Sequence, residues 1–120
     1  MWSPARGADG AEMVFVSAGF DIYYDDPLGG MKVTPGGFAN LARVVLEFAR
    51  KTCQGKVVFV LEGGYHLDGL RDSVKEVLRT LNGEVLAGGR DEELRKRIDH
   101  RLMDPIIKKV KDAQKNYWKL

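Results

Sequence analysis

Three aspartates follow the first apolar segment of this 120-residue sequence. The apolar run over residues 13–18 is typical of a buried strand, and Asp21, Asp25 and Asp26 come in the glycine-rich segment behind it. Carboxylates held at the carboxyl end of a strand are suited to bind a divalent metal. The alternative is that Asp25 and Asp26 are turn residues before a proline. The residues alone leave both interpretations open.

A tyrosine follows the second apolar segment in the same way. Residues 56–61 form another apolar run, Gly63 and Gly64 break it, and Tyr65 comes next. This position can aim a phenol into a cleft, where its O–H is a good donor to an oxyanion that develops on a carbonyl oxygen. The alternative is a half-buried tyrosine that caps the helix behind it.

Two strands and two helices alternate in the predicted order. Thr34 followed by proline is typical of a helix start, and apolar repeats at helical spacing predict helices near 35–53 and 66–82. The two apolar runs are then adjacent parallel strands. The predicted fold class is α/β, with a parallel sheet and flanking helices. Because two parallel strands leave both edges and one face of a sheet uncovered, the pattern indicates part of a larger sheet.

The chain is interpreted as one domain with three segments. A lead-in covers residues 1–12, a strand-helix-strand-helix core covers 13–83, and a basic helical segment covers 84–120. In the last segment, Pro105 is expected to divide the helical pattern. The apolar residues of that pattern are expected on one side, with lysines on the other; they are Ile106, Val110, Ala113 and Tyr117. The end of the chain is expected to be a helix that packs against the domain through Tyr117 and Trp118.

Composition narrows the partners and the compartment. The formal net charge of +2 offers no global charge argument for nucleic acid, so no direct nucleic-acid binding is predicted. The single cysteine, Cys53, excludes a disulfide framework and favours a reducing, cytoplasmic setting in which it is a packed thiol. No apolar run approaches the length of a membrane span, so no membrane partner is predicted.

The motif segments resemble the histone deacetylase family. The sequences VFVSAGFD (14–21), DDPLGG (25–30) and LEGGY (61–65) are similar to the C-terminal part of the deacetylase domain in bacterial and class II-like members, acetoin-utilisation proteins included. The resemblance runs from about residue 13 to residue 83. It implies the C-terminal part of the three-layer α/β fold of the arginase/deacetylase type.

The resemblance also implies roles for single residues in a zinc-dependent hydrolysis of an acetyl-lysine-type amide. Asp26 matches the family's second aspartate ligand of Zn²⁺, and Tyr65 matches the tyrosine that polarises the scissile carbonyl and stabilises the tetrahedral intermediate. Asp21 is expected to brace the loop rather than to bind metal, and Asp25 is expected to be a turn residue. Leucine at position 28 points to a channel for a neutral acyl-lysine. The residues assigned to the substrate channel are Leu28, Gly29, Gly63 and Gly64.

Other parts of the family's site have no counterpart in the sequence. The family's histidine pair and its Asp-x-His metal motif are expected upstream of residue 1, and neither His66 nor His100 matches them. His66 is expected to be a surface or capping residue. The implied partners are therefore the missing N-terminal half of the catalytic domain and an acyl-lysine protein or small acetylated amide as substrate.

Three hypotheses follow. The chain is a portion of a deacetylase that works when joined to its N-terminal half, and is inactive alone. Alternatively, it is a noncatalytic relic or interaction module that keeps the second half of the fold. The third is a small metal-regulated α/β signalling domain built on Asp21, Asp25 and Asp26.

Overall fold

A computed structural model describes residues 10–84 and 100–116 of the chain. The elements in chain order are β1 (Val14–Ala18), α1 (Pro35–Cys53), β2 (Val57–Leu61), α2 (Leu67–Leu81) and α3 (His100–Gln114).

The two strands form a parallel pair. Their register places Val14 opposite Val57 and Ala18 opposite Leu61. Each strand begins one residue later than predicted, and the predicted parallel pairing is confirmed. Since the strands run in the same direction, both carboxyl ends lie at one edge of the sheet.

Each of the first two helices begins at a side-chain cap. The hydroxyl of Thr34 accepts the Gly37 N–H at 3.1 Å at the start of α1, which has the predicted bounds. Gln54 ends α1 in the left-handed conformation, with φ 58°. At the start of α2, His66 Nδ1 accepts the Gly69 N–H at 3.0 Å, so the predicted capping role of His66 is confirmed.

The core lies between the sheet and the two helices. Its buried side chains are Phe20, Tyr23, Phe38, Ala42 and Val77. The Phe20 and Phe38 rings join the first loop to α1, with their centroids 4.9 Å apart. The opposite face of the sheet carries Phe15 and Val60, which are exposed. Within the described residues, helices therefore cover one face of the sheet, as the sequence pattern predicts. The buried thiol of Cys53 contacts the Lys56 carbonyl, which confirms a packed cysteine.

The C-terminal helix differs from its prediction. Pro105 lies inside α3 and does not divide it. The fixed φ of proline is close to the helical value, so the helix continues through this residue although the missing N–H costs it one backbone hydrogen bond. Ile106 is 55% exposed. Val110 is 56% exposed, so the predicted packing of this side of the helix is wrong for these two residues. The predicted packing through Tyr117 and Trp118 lies outside the described residues. The predicted helical pattern over 91–99 lies outside the described residues. None of the described helices has the length and apolar content needed to span a bilayer.

Candidate functional site

The loops that follow the two strands meet at one edge of the sheet. The Phe20 N–H donates to the Gly63 carbonyl at 2.8 Å, and the Glu62 N–H donates to the Ala18 carbonyl at 3.1 Å. The parallel register causes this meeting, because it places the strand ends side by side. The segment that carries the aspartates and the segment that carries Tyr65 are therefore neighbours, as predicted.

Asp26 occupies the junction between these loops. Its Oδ1 accepts the N–H groups of Leu28 at 2.9 Å and Gly29 at 3.1 Å. Its Oδ2 accepts the N–H groups of Tyr65 at 2.8 Å and His66 at 3.2 Å. One carboxylate thus closes its own turn with one oxygen and holds the loop behind β2 with the other.

The negative charge of Asp26 is compensated by backbone dipoles. The residue is 8% exposed, and no ion pair reaches it among the described residues. Burial by itself raises the pKa of Asp26, but hydrogen bonds from the N–H groups of Tyr65, Leu28, His66 and Gly29 outweigh burial and lower the pKa below its usual value. The carboxylate is therefore ionised at neutral pH.

Close backbone approach keeps the aspartate loop tight. A Cβ added to Gly29 would collide with the carbonyl oxygen of Asp21, so a glycine is required there. The Asp21 carboxylate lies against the second loop, because a Cβ on Gly63 would come within 3.1 Å of its Cγ. This position is compatible with the bracing role implied for Asp21.

The backbone of Tyr65 is fixed by a hydrogen bond to Asp26, whereas its phenol forms no hydrogen bond with the described residues. Gly64 precedes it with φ 136°, a conformation that favours glycine, and Asp26 accepts its N–H. The side chain is 55% exposed, and no described residue forms a hydrogen bond with its O–H. The alternative in which Tyr65 caps α2 is wrong, since His66 is the cap.

The three aspartates do not converge on a common point. The Asp25 side chain is 73% exposed and faces His66 Nε2 at 3.7 Å, whereas both Asp26 oxygens face backbone N–H groups. Within residues 10–84 and 100–116, no group of three metal-ligating side chains could hold an ion. The described chain therefore does not support a metal-regulated domain built on Asp21, Asp25 and Asp26.

The same geometry tests the implied zinc ion, which the described residues alone do not fit. A catalytic zinc site takes three protein ligands, and Asp26 is the one candidate that the described loops bring to this junction. A carboxylate has about four lone-pair positions, and four N–H groups already point at those of Asp26. A metal ion at Asp26 would have to displace at least one of these donors.

Tyr23, for which the sequence predicted no role, packs against the residues that flank the site. Its ring is buried, with centroids 4.3 Å from the ring of Tyr24 and 5.3 Å from that of His66. Its backbone bridges to Val33 across the first loop. Burial, followed by the neighbouring Tyr24, raises the pKa of Tyr23 to about 12. An aromatic pair inside a loop otherwise rich in glycine was the signal that could have revealed it.

Comparison with known proteins identifies the family. A model of the histone deacetylase domain matches residues 8–81. Histone deacetylase 10, chloroplastic, from Oryza sativa subsp. japonica is 42% identical over 82 residues, which are 68% of this chain and 18% of that protein. Polyamine deacetylase HDAC10 from Homo sapiens is 47% identical over 73 residues, which are 61% of this chain and 10% of that protein. The chain belongs to the histone deacetylase family.

A solved structure supports the same assignment. The HDA15 HD domain superposes with a TM-score of 0.53 at 36% sequence identity, over 64% of this chain and 20% of that one. The α/β fold of the arginase/deacetylase type is thereby confirmed. The chain spans about a fifth or less of the length of each of these three proteins. Because one of the relatives is named as chloroplastic, a cytoplasmic location stays a prediction.

Proposed function

We propose that this chain supplies part of the site of a zinc-dependent deacetylase that hydrolyses acetyl-lysine or a small acetylated amine. The observation that carries the proposal is the junction of Asp26 with the backbone of Tyr65 at the carboxyl ends of β1 and β2. Ligands bind at this edge in parallel α/β sheets. The relatives include proteins named as histone deacetylases and as a polyamine deacetylase.

In this proposal, Tyr65 is the group that acts on the substrate carbonyl. Its exposed phenol donates a hydrogen bond to the carbonyl oxygen, and the bond strengthens as negative charge develops there. Leu28, which is 72% exposed, presents a neutral surface to the acyl-lysine chain. Gly29, Gly63 and Gly64 complete the channel wall. Asp26 would contribute one metal ligand, with at least one of its four N–H donors displaced by the ion, and the remaining ligands and the proton-transfer groups come from the rest of a deacetylase domain.

The experiment is complementation. The purified chain is mixed with a separately expressed N-terminal half of the deacetylase domain of a relative, and release of acetate from an acetyl-lysine peptide is measured with zinc present. Turnover is expected from the mixture, and replacing Tyr65 with Phe is expected to lower kcat while bound zinc is unchanged. A mixture that forms a stable complex and hydrolyses the substrate equally well with Y65F would contradict the role of Tyr65.

One observation favours the second candidate, a noncatalytic interaction module. Phe15 is 70% exposed and Val60 is 49% exposed on the uncovered face of the sheet, and a parallel sheet is ordinarily covered on both faces. A module of this kind would bind the same N-terminal half without any turnover. The complementation experiment separates the two functions, because complex formation and acetate release are measured in the same mixture.

A further inference from the structure

We infer that Asp26 is a positioning residue that fixes Tyr65 relative to the channel loop, independently of any metal ion. The inference rests on the proposed function in one respect, that Tyr65 is the group to be positioned. The observation behind it is that one buried carboxylate accepts backbone N–H groups from two loops, at Leu28 and Gly29 on one side and at Tyr65 and His66 on the other.

The burial of Asp26 shows that this site is built into the fold. A carboxylate that is 8% exposed and lacks a cationic partner among the described residues is costly to bury unless hydrogen bonds compensate its charge. Four N–H donors at 2.8 to 3.2 Å provide this compensation. Asp25, the adjacent residue of the same type, accepts no backbone N–H in the described structure and stays exposed.

The two carboxylate oxygens of Asp26 bind different loops, and Asp26 thereby fixes the backbone of Tyr65 relative to the turn at Leu28. Oδ1 holds the turn that contains Leu28, and Oδ2 holds Tyr65 at a separation of 39 residues in sequence. The carboxylate of Asp26 is therefore a direct link between the two loops, beside the bond from the Phe20 N–H to the Gly63 carbonyl. The phenol of Tyr65 has no hydrogen-bond partner among the described residues, so the hydrogen bond that locates Tyr65 is the one from its backbone N–H to Asp26.

The neutral variant Asp26→Asn separates the two halves of this linkage. An amide offers one acceptor oxygen and one NH₂ donor, so in either orientation it keeps one pair of N–H groups and repels the other. Asp26→Ala removes both. Asp25→Asn is the matched control, because it changes the neighbouring carboxylate and none of the four bonds.

The test measures amide hydrogen exchange and ¹H–¹⁵N chemical shifts in the full 120-residue chain without metal. In D26N, one pair of amides, either at 28 and 29 or at 65 and 66, is expected to lose protection by roughly tenfold or more, a typical effect of losing a hydrogen bond to a charged group. Amides in the middle of α1 and α2 are expected to exchange as in the parent. D26A is expected to release both pairs, and D25N neither.

Two results would overturn the inference. One is parental protection and unchanged shifts at all four amides in both D26N and D26A. The other is global unfolding of both variants while D25N stays folded, since the carboxylate would then hold the core rather than the loops. No substrate or zinc enters the measurement, so the outcome is independent of whether complementation yields turnover.

Discussion

Gly69 is expected to be intolerant of even one added methyl group. A Cβ at this position would lie 2.5 Å from Cδ1 and Cε1 of Tyr23 and 2.9 Å from its Cζ. Ordinary carbon contacts lie at about 3.5 to 4.0 Å, so the ring would have to move by about 1 Å. The ring has little room to do so, because it is buried beside the rings of Tyr24 and His66.

The magnitude follows from two opposing effects. Overpacking a buried site costs about 1 to 3 kcal/mol, and the confined ring places Gly69→Ala near the upper end. Replacing glycine with alanine within a helix stabilises the helix by up to about 1 kcal/mol. The expected net loss is about 2 kcal/mol of unfolding free energy, which raises the unfolding equilibrium constant roughly 30-fold.

Urea denaturation followed by circular dichroism measures this loss. Gly30→Ala is the control, because a Cβ there meets nothing within 4 Å, and its stability is expected to stay within about 0.5 kcal/mol of the parent. A G69A chain as stable as the parent would refute the reasoning, since α2 would then have shifted away from Tyr23 at no cost.

Three further predictions concern the cap, the buried phenol and the isolated chain. Thr34→Ala is expected to cost about 1 kcal/mol in urea denaturation, because the Gly37 N–H loses its acceptor, and an unchanged midpoint would contradict the capping role. Because the folded pKa of Tyr23 is raised to about 12 from 10.0, its contribution to stability is complete below pH 10 and is lost as the pH rises towards 12. Unfolding free energies at pH 9 and pH 11.5 are expected to differ less in Tyr23→Phe than in the parent, and equal differences would exclude Tyr23 as the source. The chain alone with added zinc is expected to release no acetate from an acetyl-lysine peptide, because Asp26 is one ligand where three are needed, and zinc-dependent turnover would contradict this.

The strands and the first two helices could be predicted from sequence because local signals agree there. Apolar runs ended by glycine marked both strands, and Thr34 with the following proline marked the start of α1 to the residue. The prediction for α3 was wrong where two signals conflicted. Proline predicts a break, although its φ suits a helix, and helical Pro105 shows that the second property decides here. Apolar spacing predicts a packed side at Ile106, but periodicity does not specify a partner, and Ile106 is exposed.

The site was predictable in location and less so in its bonds. The parallel register made it possible to expect Asp26 and Tyr65 at one edge, and their loops do meet there. The sequence could not show that Asp26 would accept four N–H groups. Two of these bonds are local, but the other two join residues 39 and 40 positions apart and depend on how two loops fold together. Tyr23 was missed for the same reason, since its burial depends on α2 passing over the loop.

The open face of the sheet also has a consequence for biosynthesis. Phe15 and Val60 face solvent as soon as the two strands pair, and among the described residues the outer edge of each strand has no partner. Exposed apolar faces and free strand edges are the features through which unfinished chains aggregate. During expression, aggregation through these strands therefore competes with the binding of a surface that covers them. The yield of folded chain is expected to depend on its concentration and rate of synthesis as well as on its stability.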